Sequence, residues 1–260
     1  VMSAEDPIVP VVLPTRAWGN PSSDRTALMV HGLGSSAATC WRVMEALAEE
    51  GYFAVAPDLR GHGSAPRTSR YRIADYAADV AAVRPPSGDA WDVVIGHSIG
   101  AASAVVAAAG QHEWTKLLVL LDPALSIDGD TRAEVLANQR EGHNIDDPAV
   151  IRAQHPHWHP LDHELKVTAH HSASLWALEQ TVADNSPWDV LDHARKLSIP
   201  THSVCGEENL GGMFHSDQVA SLSAHLAHFS HEIIPGAGHS PHRDKPAETI
   251  ASVLAFLDRG

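Results

Sequence analysis

Short apolar runs alternate with amphipathic stretches through the first half of the chain. The runs occupy residues 27–30, 52–55, 93–95 and 117–121. Because consecutive positions in each run are apolar, the pattern predicts parallel strands that helices bury on both faces. The stretches between the runs, such as residues 41–50, space their apolar residues as helices do and carry charges on the other face. The first half therefore predicts repeated strand–helix units of the α/β class.

The same pattern resumes near the end of the chain. An apolar run at residues 199–205 precedes a helical stretch at 216–227, a strand at 231–234 and a helix at 246–257. The opening segment, residues 8–18, predicts antiparallel edge strands, although prolines interrupt it.

The middle of the chain has a different texture. Residues 126–193 contain eight histidines, three tryptophans and no convincing strand. We therefore predict a helical cap, inserted at residues 124–193 into a core formed by residues 1–123 and 194–260. The tryptophans of this cap are candidates for an acyl or aromatic pocket or for packing of the cap on the core: Trp158, Trp176 and Trp188.

Charge and composition narrow the class of partner. The 260 residues include 18 Lys and Arg against 32 Asp and Glu, a formal net charge of −14. This charge disfavours nucleic acids and anionic membrane surfaces, so we expect a small-molecule substrate, with a homodimer left open.

The apolar run at residues 101–109 is too short to span a bilayer, and residues 1–9 lack the features of a signal peptide. With only two isolated cysteines, Cys40 and Cys205, we expect a cytoplasmic protein.

The sharpest local motif is Gly-His-Ser-Ile-Gly at residues 96–100, between a predicted strand and an Ala-rich helix. Glycines at Gly96 and Gly100 leave room for a tight turn, so that the hydroxyl of Ser98 projects above the edge of the sheet. The amino terminus of the following helix directs free N–H groups toward this hydroxyl. The motif predicts a nucleophilic serine.

Three further motifs occur around this turn in a set order. They are His-Gly-Leu-Gly at residues 31–34, Asp-Leu-Arg-Gly-His-Gly-Ser at 58–64, and Pro-Gly-Ala-Gly-His-Ser-Pro at 235–241. Together with the serine motif they span residues 26–258 and resemble the α/β-hydrolase fold family. The resemblance implies a mostly parallel sheet flanked by helices, with His239 as the catalytic base. It also implies that the backbone N–H groups of Leu33 and Ile99 bind an oxyanion, while the 58–64 loop is structural.

The acid that orients the histidine departs from the family pattern. Most family members carry an aspartate after the strand that corresponds to residues 199–205, but Asn209 stands at that position here. An amide carries no charge to stabilise an imidazolium. Three interpretations remain: Asp122 after an earlier strand serves, Glu207 or Glu208 reaches across, or the enzyme works as a dyad. Because some members place the acid after the earlier strand, we favour Asp122.

Alternating histidines in the cap raise a metal hypothesis. His155, His157, His159 and His163 lie close together in sequence and could converge on one ion. The spacing does not match a binuclear metallohydrolase motif, and neighbouring prolines restrict its folding. We therefore favour a solvated or substrate-facing lid and expect neither a metal nor a cofactor.

These residues predict a serine hydrolase that cleaves a small carboxylic ester or lactone through an acyl-enzyme on Ser98. Carbon–carbon bond hydrolysis of ring-cleavage products is an alternative, as is lyase or perhydrolase chemistry without a cofactor. The carbon–carbon alternative needs an anionic substrate, and so requires cap arginines such as Arg132, Arg140 or Arg152 to point inward. A ligand-binding or receptor-type member with little turnover is a further alternative, because fold alone does not fix function.

Overall fold

A computed structural model describes residues 7–259. Nine strands are present in this range: β1 (Thr15–Trp18), β2 (Arg25–Val30), β3 (Tyr52–Pro57), β4 (Trp91–His97), β5 (Thr115–Leu121), β6 (Ser126–Ile127), β7 (Trp188–Asp189), β8 (Thr201–Cys205) and β9 (Phe229–Ile233). Seven of them form one sheet in the order β1-β3-β2-β4-β5-β8-β9. All neighbours in this sheet are parallel except β1 and β3.

Eleven α-helices accompany the strands in the described range: α1 (Trp41–Glu49), α2 (Ile73–Ala82), α3 (Ile99–Gly110), α4 (Gly129–His143), α5 (Pro148–Gln154), α6 (Pro160–Ser172), α7 (Leu175–Asp184), α8 (Leu191–Ala194), α9 (Ser216–His225), α10 (Pro241–Asp244) and α11 (Pro246–Leu257). The prediction of a mostly parallel sheet flanked by helices is confirmed.

The two faces of the sheet are both buried, as the continuous apolar runs require. Along β4, Val93 and Ile95 pack in one core cluster with Met44 of α1 and Val253 of α11. Val94, which points to the opposite face, packs in a second cluster that includes residues of α2 and α3. Successive side chains of a strand alternate between faces, so an uninterrupted apolar run supplies both clusters at once.

Two predicted elements differ from the structure. Of the opening segment, only Thr15–Trp18 forms a strand, because Pro10 and Pro14 upstream have no N–H to donate to a ladder. The segment predicted as strand-free also contains β6 and β7, which pair antiparallel. Two-residue strands have no periodicity that a sequence pattern can detect.

The helices α4 to α7 lie between β6 and β7, in the segment predicted as a cap. The division of the chain into a core and a cap stays a prediction from the sequence.

Within residues 7–259 no helix is long and apolar enough to cross a membrane. The expectation that residues 1–9 form no signal peptide falls mainly on residues 1–6, which lie outside the described residues. Cys40 and Cys205 are free thiols, and both are buried.

Candidate active site

Ser98 occupies a strained turn between β4 and α3. Its backbone has φ 54° and ψ −122°, a conformation that non-glycine residues rarely adopt. A Cβ at Gly100 would collide with the carbonyl oxygens of Val30 and His31, and a Cβ at Gly96 would collide with the backbone of Ala101. The turn therefore needs glycine on both sides of the serine, and it presents the hydroxyl at the carboxyl edge of the sheet.

His239 lies against this hydroxyl. Its Nε2 is 3.0 Å from Ser98 Oγ, and its Nδ1 is 2.5 Å from Oδ2 of Asp122. The histidine follows β9, the serine follows β4 and the aspartate follows β5, so three strand ends bring the groups into one line. In this arrangement Nδ1–H donates to the carboxylate and Nε2 is free to accept the serine proton.

Asp122 is fully buried, with φ 39°, at the end of β5. Its Oδ1 accepts a hydrogen bond from the backbone N–H of Gly206 at 3.2 Å, and its Oδ2 accepts one from Met213 at 2.9 Å. A buried carboxylate is costly unless its oxygens are hydrogen-bonded. Two amides and one imidazole satisfy this one, which offsets the cost of burying it.

The other acidic candidates are engaged elsewhere. Glu207 Oε1 accepts from the N–H of Gly236 at 3.3 Å, and Glu208 Oε1 accepts from that of Ser216 at 2.8 Å. Asn209 is exposed on a short 3-10 helix. The structure thus brings Asp122 to His239 and leaves Glu207 and Glu208 away from it.

The residues Leu33 and Ile99, whose backbone N–H groups the family resemblance assigns to the oxyanion, are both buried. Neither donates to an acceptor within the described part of the chain. Unpaired buried N–H groups are rare in folded proteins and call for an explanation. Leu33 lines the same cavity as Ser98, and Ile99 directly follows Ser98 in the chain.

His31 and His62 brace the loop that carries Leu33. His31 accepts from the N–H of Leu59 at 3.0 Å, and His62 accepts from that of Gly34 at 3.1 Å. Burial lowers the pKa of His31 to about 3 and that of His62 to about 4. Both imidazoles are therefore neutral near pH 7. They position the loop, as Asp58 does by accepting from the N–H groups of Ala37 and Ser64.

His97, the residue before Ser98, fastens the loop of His239. Its Nε2–H donates to the carbonyl oxygen of His239 at 2.8 Å. Burial and the neighbouring His242 hold the pKa of His97 well below its usual range. Because a neutral imidazole has one N–H, this hydrogen bond also fixes which ring nitrogen carries the proton.

Two adjoining cavities open beside the serine, each of about 610 Å³. Ser98 and Trp188 line the first, Trp158 lines the second, and both contain His239, Lys166 and Arg243. Trp176 is 56% exposed and lines neither. Two of the three cap tryptophans are thus at the cavities.

The three arginines that the carbon–carbon alternative requires, Arg132, Arg140 and Arg152, line neither cavity. Arg140 pairs with Glu179, Arg152 is exposed, and Arg132 donates to the carbonyl oxygen of Asn185. The cations that line the cavities are Arg243 of α10 and Lys166 of α6. Sequence reasoning missed both residues. Arg243 lies only four residues after His239, in the short helix α10 that follows the histidine loop.

The four histidines that raised the metal hypothesis make separate local contacts. His155 stacks on Trp158 with ring centroids 4.0 Å apart, and His157 bonds Asp244. His159 caps α6, and His163 donates to the carbonyl oxygen of His155. Among residues 7–259, no three His, Cys, Asp or Glu side chains form a group that could hold a metal ion.

Comparison with known proteins adds to this geometry. A family model described as "Alpha/beta hydrolase family" matches residues 27–253. Lipase LipV of Mycobacterium tuberculosis is 35% identical over 134 residues, which span 52% of this chain and only 51% of that protein. The 2-(acetamidomethylene)succinate hydrolase of Mesorhizobium japonicum is 25% identical over 251 residues, covering 89% of this chain and 87% of that protein. A crystal structure of E-2-(acetamidomethylene)succinate hydrolase superposes with a TM-score of 0.80 at 22% identity, covering 95% of each chain.

Proposed function

The chain belongs to the alpha/beta hydrolase family, and from that premise we propose that it is a serine hydrolase of small carboxylic esters or lactones. The observation that carries the proposal is the line from Ser98 through His239 to Asp122. Oγ lies 3.0 Å from the imidazole, and the imidazole lies 2.5 Å from a carboxylate that is fully buried. A serine hydroxyl is a weak nucleophile at neutral pH, and this arrangement supplies the base that activates it.

The reaction proceeds in two halves. In the first, Ser98 Oγ attacks the ester carbonyl carbon while its proton passes to His239 Nε2. His239 then gives this proton to the departing alcohol oxygen as the C–O bond breaks, which leaves an acyl group on Ser98. In the second, water attacks the acyl carbon, His239 accepts the proton of the water, and Ser98 regains it as the acid departs. Asp122 keeps Nδ1–H oriented and stabilises the imidazolium in both halves.

The amides of Leu33 and Ile99 hold the negative charge of each tetrahedral intermediate. Donors that are already oriented in a buried site need no reorganisation when the charge develops. Loss of one such donor typically costs about 3 kcal/mol of transition-state stabilisation. The braced loop of Leu33 and the rigid turn before Ile99 are consistent with this role.

The relatives support hydrolysis as the reaction, but they do not fix the type of bond that is cleaved. One is named a lipase and another a hydrolase of a succinate derivative. The lipase favours an ester substrate, which agrees with a cavity that opens directly at Ser98. The carbon–carbon alternative was expected to place Arg132, Arg140 or Arg152 against its anionic substrate, and none of the three lines the cavities, although Arg243 and Lys166 do.

The experiment combines labelling with turnover. A fluorophosphonate probe should form one covalent adduct, on the peptide that contains Ser98, and Ser98→Ala should abolish both the adduct and the hydrolysis of 4-nitrophenyl butyrate. Ser103→Ala is the matched control, because the Ser103 hydroxyl donates to the carbonyl oxygen of Ile99 within α3 and lines neither cavity. Undiminished turnover by Ser98→Ala, or an adduct at another residue, overturns the proposal. Probe labelling without turnover of any ester, lactone or ring-cleavage product would favour a binding protein instead.

A further inference from the structure

Arg243 is buried in the wall shared by the two cavities. The residue is 4% exposed, and its guanidinium lies 5.2 Å from the ring centroid of Trp158. Nη2 donates to Ser35 Oγ at 3.2 Å, and the buried Nε has no hydrogen-bond partner among the described residues. A guanidinium carries five N–H donors, so most of its capacity is directed at no protein acceptor.

The acidic side chains that attract Arg243, those of Asp162 and Asp244, contact other donors and do not pair with it; Oδ2 of Asp162 has no hydrogen-bond partner among the described residues. Asp162 accepts from Trp41 Nε1 at 2.9 Å and lies 3.6 Å from Arg42 Nη2. Asp244 accepts from Trp158 Nε1 at 2.7 Å and from the N–H of Gly238 at 2.8 Å. Within residues 7–259, Arg243 therefore forms no ion pair. Burying an unpaired charge is strongly unfavourable, and a bound anion would offset that cost.

A second cation lies beside the first. Lys166 is partly buried on α6, lines both cavities, and donates to the carbonyl oxygen of Gly34 at 3.4 Å. Burial and repulsion by Arg243 lower the pKa of Lys166 to about 7. Lys166 also forms no ion pair with any residue that the structure describes. Asp162 and Asp244 attract Arg243 without pairing with it, and an anion between the two neighbouring cations would offset their mutual repulsion.

The charge of these two residues is opposite to that of their surroundings. The chain has a formal net charge of −14. The remaining charged residues that line the first cavity, apart from its histidines, are four exposed carboxylates: Asp128, Glu134, Glu208 and Asp217. The buried part of the cavity wall is thus cationic while its solvent-exposed part is anionic, so the pair is not part of a generally basic surface.

We propose that Arg243 and Lys166 form an anion subsite that binds a free carboxylate of the substrate, so that monoesters of dicarboxylic acids are preferred over neutral esters. This inference rests on the proposed function, because it takes Ser98 as the nucleophile in the same cavity. The planar fork of a guanidinium matches the two oxygens of a carboxylate, and the ammonium adds a third donor. Water then converts the monoester to a dicarboxylic acid and an alcohol, with no other reactant.

The test compares two substrates of nearly equal shape. Monoethyl succinate carries a carboxylate where ethyl 4-methylpentanoate carries an isopropyl group, and ethanol release reports the hydrolysis of both. The wild type should show a higher kcat/KM for the monoester. Arg243→Met should lower the ratio of the two kcat/KM values by about 10- to 100-fold, the factor expected for lost hydrogen bonds to a charged group. Arg140→Met, which removes an exposed cap arginine, should leave the ratio unchanged.

Further measurements separate the two proposals. If Ser98→Ala retains full activity on both esters, the proposed function fails. If Ser98→Ala is inactive but the wild type does not prefer the monoester, or Arg243→Met leaves the ratio unchanged, the anion subsite alone is wrong. Should Arg243→Met fail to fold, succinate and neutral succinamide are compared as inhibitors of the wild type acting on ethyl 4-methylpentanoate. Competitive inhibition by succinate only, weakened in Lys166→Met, supports the subsite, whereas equal inhibition by the two compounds overturns it.

Discussion

The backbone N–H of Gly206 donates to Oδ1 of Asp122 at 3.2 Å, although the two residues follow different strands. β5 and β8 are neighbours in the sheet, so their carboxyl ends meet at one edge. In most of the family the acid itself stands in the loop after the second of these strands. In this chain that loop supplies the backbone N–H groups of Gly206 and Met213, which donate to the Asp122 carboxylate at the end of the first strand.

This relationship predicts the effect of removing the charge. Asp122→Asn should lower kcat on a neutral ester by about 10³- to 10⁴-fold, because an amide cannot stabilise the imidazolium and favours the wrong tautomer. Steady-state kinetics with thermal unfolding of each variant checks this. Glu207→Gln and Glu208→Gln are the controls and should retain near wild-type kcat. A larger loss in either glutamine variant than in Asp122→Asn would move the acid to the later loop.

The turn at Ser98 predicts a contrast between two glycines of one helix. Gly100→Ala should destabilise the protein by more than about 3 kcal/mol or prevent folding, because its Cβ meets carbonyl oxygens of Val30 and His31. Gly110→Ala, at the other end of α3, has open space around the new Cβ. It should change the free energy of unfolding by less than about 1 kcal/mol, in the stabilising direction. Urea denaturation measures both, and equal effects would contradict the steric account of the turn.

The buried, neutral state of His62 predicts how stability depends on pH. Its pKa is about 4 in the folded protein and 6.5 in a solvated chain. Below about pH 6.5, His62 binds a proton in the unfolded chain but stays neutral in the folded protein. The free energy of unfolding therefore falls as the pH drops toward about 4. His62→Gln should reduce this slope by up to about 1.4 kcal/mol per pH unit. Chemical denaturation between about pH 4.5 and 6 measures the slope, and His112→Gln, at an exposed position, should not alter it.

The anion subsite predicts a pH dependence of substrate preference. The groups that face Lys166 are Arg243, His62, His155, His170 and His242, and the pKa of each of these histidines is lowered. Lys166 is therefore the group of this cluster that changes charge near pH 7. As the pH rises through about 7, the kcat/KM ratio of monoethyl succinate to ethyl 4-methylpentanoate should fall by up to about tenfold.

The ratio cancels any pH dependence of the steps that both substrates share. Lys166→Arg is the matched variant, because a guanidinium keeps its charge across this range. Its ratio should stay constant from about pH 6 to 8. A ratio that falls equally in the wild type and in Lys166→Arg would show that another group titrates.

Much of the fold was readable from the sequence, for identifiable reasons. Apolar runs on consecutive positions predicted the parallel strands, and α11 begins at Pro246 and ends at Leu257 as predicted, since proline is favoured in the first turn of a helix. The glycines around Ser98 signalled the turn because only glycine fits there. The two-residue strands β6 and β7 are too short to leave such a pattern in the sequence.

The site was readable only in part. Sequence reasoning left three alternatives for the acid, because the choice depends on which strand ends are neighbours and on amides that no side-chain pattern records. Arg243 escaped notice because burial without a partner is a property of the packed structure. The sequence analysis considered Arg132 and Arg140 as anion-binding residues instead, because a sequence does not show that their side chains contact Asn185 and Glu179.

The hydrogen bond from His97 to the carbonyl oxygen of His239 has a mechanical consequence. The residue beside the nucleophile is tied to the main chain of the base, in addition to the contact between the reacting side chains. His239 therefore contacts two adjacent residues: its carbonyl oxygen accepts from His97, and its imidazole lies against the Ser98 hydroxyl. A displacement of the end of β4 would therefore shift the serine and the histidine loop together.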